Sequence, residues 1–321
     1  MPTLVTGATG FLGRHLVRLL VERAEAVRAL VRQGTDDREL RELGVEVARG
    51  DVLDGGAVRR AAAGCGLVFH LAGAIGYERS GRERQRRVNV DGVRIALAAA
   101  EPGSRFVHVS SVAAIGPVDS PERPADERQA YPARADRYVY PETKRAGEAL
   151  VLAAAGAGRD ALVASPGFLI GPGDVHRAST WPVERYLQGT LRLLVEGGLS
   201  FVDARDVAAG LVSLAEHGRP GERTILTSRE GNLSHQAFFR RVGAVTGIRR
   251  RQIVLPARVA VAGASVIRWP VKPGEVSAAA NWWFYDPAKA ERELGFVTRP
   301  LDESIADTAA QYVTYRGPRS T

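Results

Sequence analysis

The sequence predicts an α/β fold: a doubly wound parallel sheet with a smaller, interleaved C-terminal lobe. Three observations carry that expectation. Short runs rich in Val and Leu alternate with helix-like stretches through the first half, as in a sheet covered by helices on both faces. A glycine cluster, Gly7-Ala8-Thr9-Gly10-Phe11-Leu12-Gly13, sits where the first run gives way to the first helix. Past residue 166 the rhythm changes, with a turn at Gly171-Pro172-Gly173 and a Trp- and Arg-containing stretch behind it.

In chain order, strands are expected at Thr3–Thr6, Val27–Arg32, Val45–Ala48, Leu67–Leu71, Phe106–Ser110 and Ala161–Ser165. Helices fall between them at Leu12–Glu22, Asp36–Leu43, Gly56–Ala63, Val88–Ala100 and Pro141–Ala155. Right-handed crossovers then favour the doubly wound arrangement. A strand at Leu199–Val202 and a helix at Asp206–Glu216 follow. The chain continues as a helix from Leu233, a short strand at Gln252–Leu255, a Gly/Pro-punctuated segment and two closing helices. Residues 1–166, with 199–227 returning to the sheet, form the expected cofactor domain; 167–198 and 228–321 form the lobe that roofs it.

The chain has 321 residues, 45% hydrophobic and 25% charged. That length suits one large domain or two, and the balance excludes disorder, collagen-like repeats and a multi-span membrane protein. No apolar run reaches the eighteen or so residues of a spanning helix; Val254–Ile267 comes nearest and is broken by Pro256 and Arg258. Of 44 basic residues only Lys144, Lys272 and Lys289 are lysines, against 36 acidic residues, giving +8. The arginines read as scattered among Asp and Glu, without a basic stripe for nucleic acid, leaving at most a weak attraction to anionic metabolites. Cys65 is the single cysteine, which excludes an internal disulfide and a cysteine-cluster metal site. The N-terminus runs straight into a strand with no leader, so a cytoplasmic setting is expected.

The glycine cluster has GxxGxxG spacing after an opening strand. Small residues there let the backbone approach a pyrophosphate, whose charge the helix N-terminus favours. Gly7, Thr9, Gly10, Phe11, Leu12 and Gly13 are the expected contacts. At the end of the second strand, where an NAD enzyme places a carboxylate for the ribose hydroxyls, no acidic residue precedes Asp36. Arg32 stands there instead, a guanidinium suited to a 2′-phosphate, so NADP(H) is the expected cofactor and NAD(H) the lesser one. Asp51 and Val52 after the third strand face the adenine, and Leu71, Ala72 and Gly73 after the fourth leave room for the dinucleotide.

Ser110-Ser111 closes the fifth strand, and Tyr140-Pro141-Glu142-Thr143-Lys144 opens the helix beyond it. Tyr140 and Lys144, four apart, share a helical face, and Pro141 suits the first helical position, which puts Tyr140 at or near the N-cap. A free phenol has a pKa of about 10, and a neighbouring ammonium lowers it. A serine hydroxyl polarises a substrate carbonyl and steadies the oxyanion.

These motifs resemble the extended and atypical short-chain dehydrogenase/reductases, within the NAD-dependent epimerase/dehydratase group. The nearest branches are the dihydroflavonol reductases, 3β-hydroxysteroid dehydrogenase-like enzymes and hopanoid-associated sugar epimerases. Val88-Asn89-Val90-Asp91-Gly92 is similar to the family's NVxGT, and the segment from Phe106 to Gly116 is similar to its serine strand. Ser165 to Asp174 resembles RPxxxxGPGD, with Ser165 in place of the usual Arg. Phe201 to Ala208 matches FVDVRDVA, and Asp286-Pro287-Ala288-Lys289-Ala290 with Leu294-Gly295-Phe296 resembles the closing helix. The resemblance implies a Rossmann domain, Tyr140 as general acid/base, Lys144 as its electrostatic partner and ribose ligand, and Ser111 as the group binding the reacting oxygen. It also implies carboxamide contacts from Pro166, Gly167 and Phe168, a bracing role for Asn89, and a monomer or a homodimer built on the helices at 88–100 and 141–155. Ser111-Val112-Ala113 lacks the Thr-Asp-Glu of the dehydratases, which disfavours 4,6-dehydration.

Aromatic and histidine residues of the roof, Tyr77, His176, Trp181 and Tyr186, with Trp282 and Trp283, are candidates to line a pocket for a ring-shaped or fatty substrate. Reduction of a ketone or aldehyde by NADPH is the leading expectation. A nucleotide-sugar epimerase with tightly held NAD(P) is the alternative, and a non-catalytic dinucleotide-binding protein the third.

Overall fold

The computed structural model describes residues 1–76, 79–135, 138–177, 179–266 and 272–313. The strands are β1 (Thr3–Thr6), β2 (Val27–Val31), β3 (Glu46–Arg49), β4 (Leu67–His70), β5 (Arg105–Val109), β6 (Ala161–Pro166), β7 (Phe168–Ile170), β8 (Leu193–Val195), β9 (Gly198–Asp203), β10 (Arg223–Leu226), β11 (Asn232–Ser234), β12 (Ile253–Leu255) and β13 (Trp282–Trp283). Seven of them form one sheet in the order β10-β6-β5-β4-β1-β2-β3, every pair parallel. The order reverses between β1 and β4, and ligands bind at such a switch point, outside the carboxyl ends of the strands.

The apolar runs place two cores on this sheet. On one face the helices Phe11–Glu22 and Ala204–His217 pack on each other and cover Val5, Phe69, Val107 and Leu162. On the other, Gly55–Ala62, Gly92–Ala99 and Val139–Gly156 cover Leu4, Val68, Phe106 and Val163. β3 departs from the expectation of strands buried on both faces: Glu46 and Arg49 are exposed. It is the edge strand and has a neighbour on one side only.

Two helices also differ in detail from the sequence pattern. Val139–Gly156 starts two residues before Pro141, so Tyr140 lies within its first turn and Tyr138 is the N-cap. Proline is tolerated there because N–H groups of a first turn have no intrahelical acceptor. The stretch at 88–100 divides into a π-helical turn, Arg87–Asp91, and the α-helix Gly92–Ala99. At that turn the backbone comes so close to Val139–Gly156 that a Cβ on Gly147 would lie 2.2 Å from the Asn89 carbonyl oxygen.

β10 returns to the central sheet, whereas β9 pairs with β7, β11 and β13 in a second, smaller one. Residues near 199–203 therefore belong with the lobe's strands and not with the central sheet. The lobe has its own core of Ile170, Phe201, Phe238, Phe239 and Val242 under the helices His235–Thr246 and Leu301–Val313. The matched Phe201–Ala208 segment is structural: Asp203 caps the next helix by accepting from the Arg205 N–H at 2.8 Å, and Asp206 pairs with Arg299 at 2.9 Å.

Gly147→Ala is expected to lower folding stability by about 1–3 kcal/mol, because the added methyl must displace backbone. A urea midpoint unchanged from the parent would contradict that reading of the π-turn contact.

Candidate active site

The glycine loop between β1 and the helix Phe11–Glu22 is shaped by contacts that exclude a side chain. Gly7 has φ +73°, and a Cβ on it would lie 2.8 Å from the Ala72 nitrogen beyond β4. A Cβ on Gly13 would fall 2.2 Å from the Gly7 carbonyl oxygen. Gly10 is the N-cap, without a side-chain cap, so the N–H groups of the first turn face the crevice, as anion binding by a helix start requires. Thr9, Phe11 and Leu12 sit in the same turn, and the Thr9 carbonyl accepts from Arg14 Nε at 3.1 Å. Leu71, Ala72 and Gly73 form the opposite wall, with Gly73 against the Lys144 ammonium and the Asn89 amide. This is a cradle that fits a dinucleotide.

At the adenosine end Arg32 is exposed at the close of β2, and no ion pair is formed with it among the described residues. The nearby carboxylates are engaged. Asp36 is paired with Arg38 at 2.7 Å, which holds its pKa down at about 2, and Asp37 binds Arg41 and Arg49. Asp51 is exposed and accepts from the Leu53 N–H at 2.9 Å; Val52 packs over Gly92.

At the other end the two serines after β5 divide their work. Ser110 is buried and donates to Glu148 at 2.8 Å, whereas Ser111 caps a short 3₁₀ turn and is hydrogen-bonded to the Tyr140 phenol. Tyr140, Lys144 and Glu148 follow one another on the buried face of Val139–Gly156. Burial raises the Tyr140 phenol above its usual 10, opposed by Ser111. The acidification expected from Lys144 is thus not what sets the phenol in the protein alone. The Lys144 ammonium donates instead to the Val109 carbonyl at 2.9 Å. Burial lowers its pKa to about 8, against the pull of Glu148. Glu148 is itself 1% exposed and ion-paired with Arg223 on β10.

Asn89 ties the crevice wall to this helix: its side chain accepts from Ala74 N at 2.8 Å, and donates to Ala74 O at 2.9 Å and to Thr143 at 3.0 Å. That matches the bracing role implied for it. Pro166 ends β6, Gly167 joins it to β7 and Phe168 opens β7, and Gly167 is hemmed in by the Ser200 carbonyl at 2.5 Å from where its Cβ would be.

The roof candidates fare unevenly. Tyr186 is a correction: it is buried in the lobe core, stacked on Phe239, with its hydroxyl donating to the Ile248 carbonyl at 3.0 Å. An aromatic ring that fills a core and satisfies its own hydroxyl lines no pocket. His176 is exposed in a turn; Trp181 opens a short helix under the Arg185 guanidinium. Tyr77 lies outside the described residues. Trp283 is core, its Nε1 donating to the Ala278 carbonyl at 2.9 Å, and Trp282 is half-buried beside it.

What surrounds Tyr140 is a cluster the sequence reading did not assemble: Val112, Ile115, Tyr138, Ile225, Phe284 and Tyr285. Tyr138 donates to the Ser277 carbonyl at 2.8 Å and Tyr285 to the Gly116 carbonyl at 2.9 Å. Glu148 was equally missed, although its position one turn beyond Lys144 was visible in the sequence. Two buried histidines, His70 and His108, stack at 5.7 Å on β4 and β5, and burial with the Lys144 charge lowers both, His70 to about 3.

The chain is similar to known proteins in sequence and in fold. The sequence profile described as NAD dependent epimerase/dehydratase family matches residues 3–226. A protein of Synechocystis sp. with the provisional name dihydroflavonol 4-reductase is 33% identical over 94% of this chain and 92% of its own. The ceramide reductase of Caulobacter vibrioides is 34% identical over 83% and 77% respectively. A solved nucleoside-diphosphate-sugar epimerase from Pseudomonas aeruginosa superposes with a TM-score of 0.81 at 25% identity, covering 99% of this chain and 98% of that one. The fold and the crevice define a nicotinamide-dinucleotide-dependent oxidoreductase. The chain belongs to the NAD dependent epimerase/dehydratase family.

His70 carries a pH prediction. Its folded pKa of about 3 lies below the ordinary 6.5, so within that window the unfolded chain holds a proton that the folded chain does not. Its contribution makes stability rise with pH through the window and fall on acidification. His70→Phe is expected to reduce the slope between pH of about 4 and 6 by about 1.4 kcal/mol per pH unit, read from urea unfolding across that range. A slope unchanged by the substitution would contradict the neutral buried histidine.

Proposed function

We propose that the chain is an NADP(H)-dependent ketoreductase acting on an apolar ketone or aldehyde. The observation that carries this is the hydrogen-bonded Ser111–Tyr140 pair set in an apolar, aromatic wall beside the dinucleotide cradle. The ceramide and dihydroflavonol names of the relatives support a reductive direction. Arg32, with Asp36 and Asp37 both occupied by other arginines, favours the 2′-phosphate over a free ribose hydroxyl.

In this reading the loop from Gly7 to Gly13 holds the pyrophosphate, Asp51 and Val52 border the adenine, and Pro166 to Phe168 hold the carboxamide. The bound nicotinamide supplies hydride to the carbonyl carbon. Ser111 donates to the carbonyl oxygen and stabilises its developing charge. Tyr140 gives that oxygen its proton, leaving a phenolate that burial disfavours. Lys144 lies one helical turn away, holds the ribose hydroxyls and supplies the positive charge against which the phenolate forms. Residues 1–166 serve as the cofactor domain, and the segments 167–198 and 228–321 close over the substrate. The apolar wall offers little to a sugar diphosphate, and the roof's Arg177 is paired with Glu184.

With an apolar ketone substrate, Tyr140→Phe is expected to lower kcat by about 10²–10⁴-fold while NADPH binding, read by fluorescence titration, persists. Turnover that survives the substitution would remove Tyr140 as the acid. Arg32→Ala is expected to weaken NADPH by about 10- to 100-fold, the loss of one charge-assisted bond, with NADH unaffected. Equal losses for both cofactors would remove the 2′-phosphate assignment. Stoichiometric NAD(H) released on heating the purified protein would favour the epimerase instead.

A further inference from the structure

The excess charge is not scattered, as the composition as a whole suggests. Residues 231–274 contain seven arginines and Lys272 and no Asp or Glu. Removing those eight from the 44 basic residues leaves 36, equal to the 36 acidic ones. The entire net charge of +8 therefore resides in one stretch of the C-terminal lobe.

Part of it is neutralised locally, since Arg241 pairs with Glu230 and Asp302. The part after the helix His235–Thr246 is not. Arg249, Arg251 and Arg258 are exposed and, among the described residues, pair with no carboxylate. Arg250 donates to the Leu187 carbonyl at 3.0 Å, and Arg192, exposed just before β8 with its carbonyl accepting from Ile253 N at 3.0 Å, extends the rim. The neighbouring acids are turned to backbone: Glu196 accepts from Ala257 N at 3.3 Å and Glu275 from Lys272 N at 3.3 Å.

Among these cations lie aliphatic side chains with no cover. Ile253 is 59% exposed and Val259 57% exposed. Val259, Arg258 and Ala262 share the outward side of the helix Ala257–Val266, while Ala260 is buried. Arg249, Arg251 and Ile253 on the segment leading into and through β12, followed by Arg258 and Val259 on the helix, alternate cationic and aliphatic side chains along one exposed stretch, which fits a boundary that is anionic outside and apolar just beneath. No described helix is long and apolar enough to cross a membrane, so such a helix would lie along the surface.

We propose that this face docks the protein onto an anionic lipid surface, the arginines against lipid phosphates and Ile253 and Val259 in the headgroup–acyl boundary. The helix Ala257–Val266 packs on Pro273–Ala279, whose Ser277 carbonyl accepts from Tyr138, two residues from Tyr140. Docking thus sets the roof over Tyr140 next to the lipid. The proposal goes beyond the reductase reading and stands without it.

Flotation of the full chain with vesicles tests it without any turnover. Vesicles containing about one-third phosphatidylglycerol are expected to bind at least tenfold more tightly than phosphatidylcholine alone, and salt should weaken the binding. The triple variant Arg249→Gln, Arg251→Gln, Arg258→Gln is expected to lose on the order of 100-fold, about fivefold for each arginine. Ile253→Ser with Val259→Ser should weaken binding further at unchanged thermal stability. Equal binding to neutral vesicles, binding that ignores the triple variant, or capture of poly-glutamate with no vesicle binding would each overturn the proposal. The last of these would mark a site for an acidic polypeptide.

Discussion

The arrangement depends on burying a polar stripe, Tyr140, Lys144 and Glu148, along one face of a helix that packs against the sheet. Burial works against every group in that stripe: it raises the phenol and lowers the ammonium. Each is kept by a specific partner. Ser111 bonds the phenol, the Val109 carbonyl takes the ammonium, and Glu148 is held between Ser110 and Arg223. Breaking a buried pair is far costlier than never having built it, because the remaining charge is left uncompensated. The ends of β5 and β10 are thus fixed relative to the helix by electrostatics as much as by apolar contact.

Much of the fold was legible because buried parallel strands announce themselves as short Val- and Leu-rich runs. β1 matches its expected bounds, and the other expected strands differ by one residue at one or both ends. What was hidden depended on neighbours distant in sequence. The burial of β3 was overestimated because nothing local says that Glu46–Arg49 lies at an edge. The division of 88–100 into a π turn and a helix follows from how closely Asn89 approaches Gly147, a contact between elements over fifty positions apart. β9 was assigned to the wrong sheet for the same reason, since a short apolar strand carries no mark of its partner.

The site divides along a similar line. The glycine loop, Ser111 and the Tyr140–Lys144 pair could be singled out in the sequence because each motif has a fixed spacing, and the structure brings them to one side of the sheet. Single aromatics were not resolved. Tyr186 and Tyr138 look alike in sequence, yet one stacks on Phe239 in the lobe core and the other bonds Ser277 beside Tyr140. Glu148 was overlooked even though helical spacing placed it on the same face as Lys144. An acidic residue on a helix is ordinarily a solvated one, and only tertiary packing reveals that this one is buried. The charge excess was misread for a different reason, because a whole-chain balance hides an acid-free segment among evenly mixed ones.

The roof and the wall around Tyr140 are joined by hydrogen bonds. The segment from Pro273 to Tyr285 is tied to the surroundings of Tyr140 at two points: Tyr138 to Ser277, and Tyr285 to the Gly116 carbonyl next to the serine turn. Asn281 adds a bond to the Tyr138 hydroxyl at 2.9 Å. The surface helix Ala257–Val266 packs against Pro273–Ala279, which is bonded through Ser277 to the N-cap residue of the helix that carries Tyr140 and Lys144. On the sheet side the backbones approach closely, and at Gly7 against Ala72 and at Gly147 against Asn89 they leave no space for a Cβ. The roof is also the part of the chain that, among the described residues, carries exposed arginines without a carboxylate partner and uncovered aliphatic side chains.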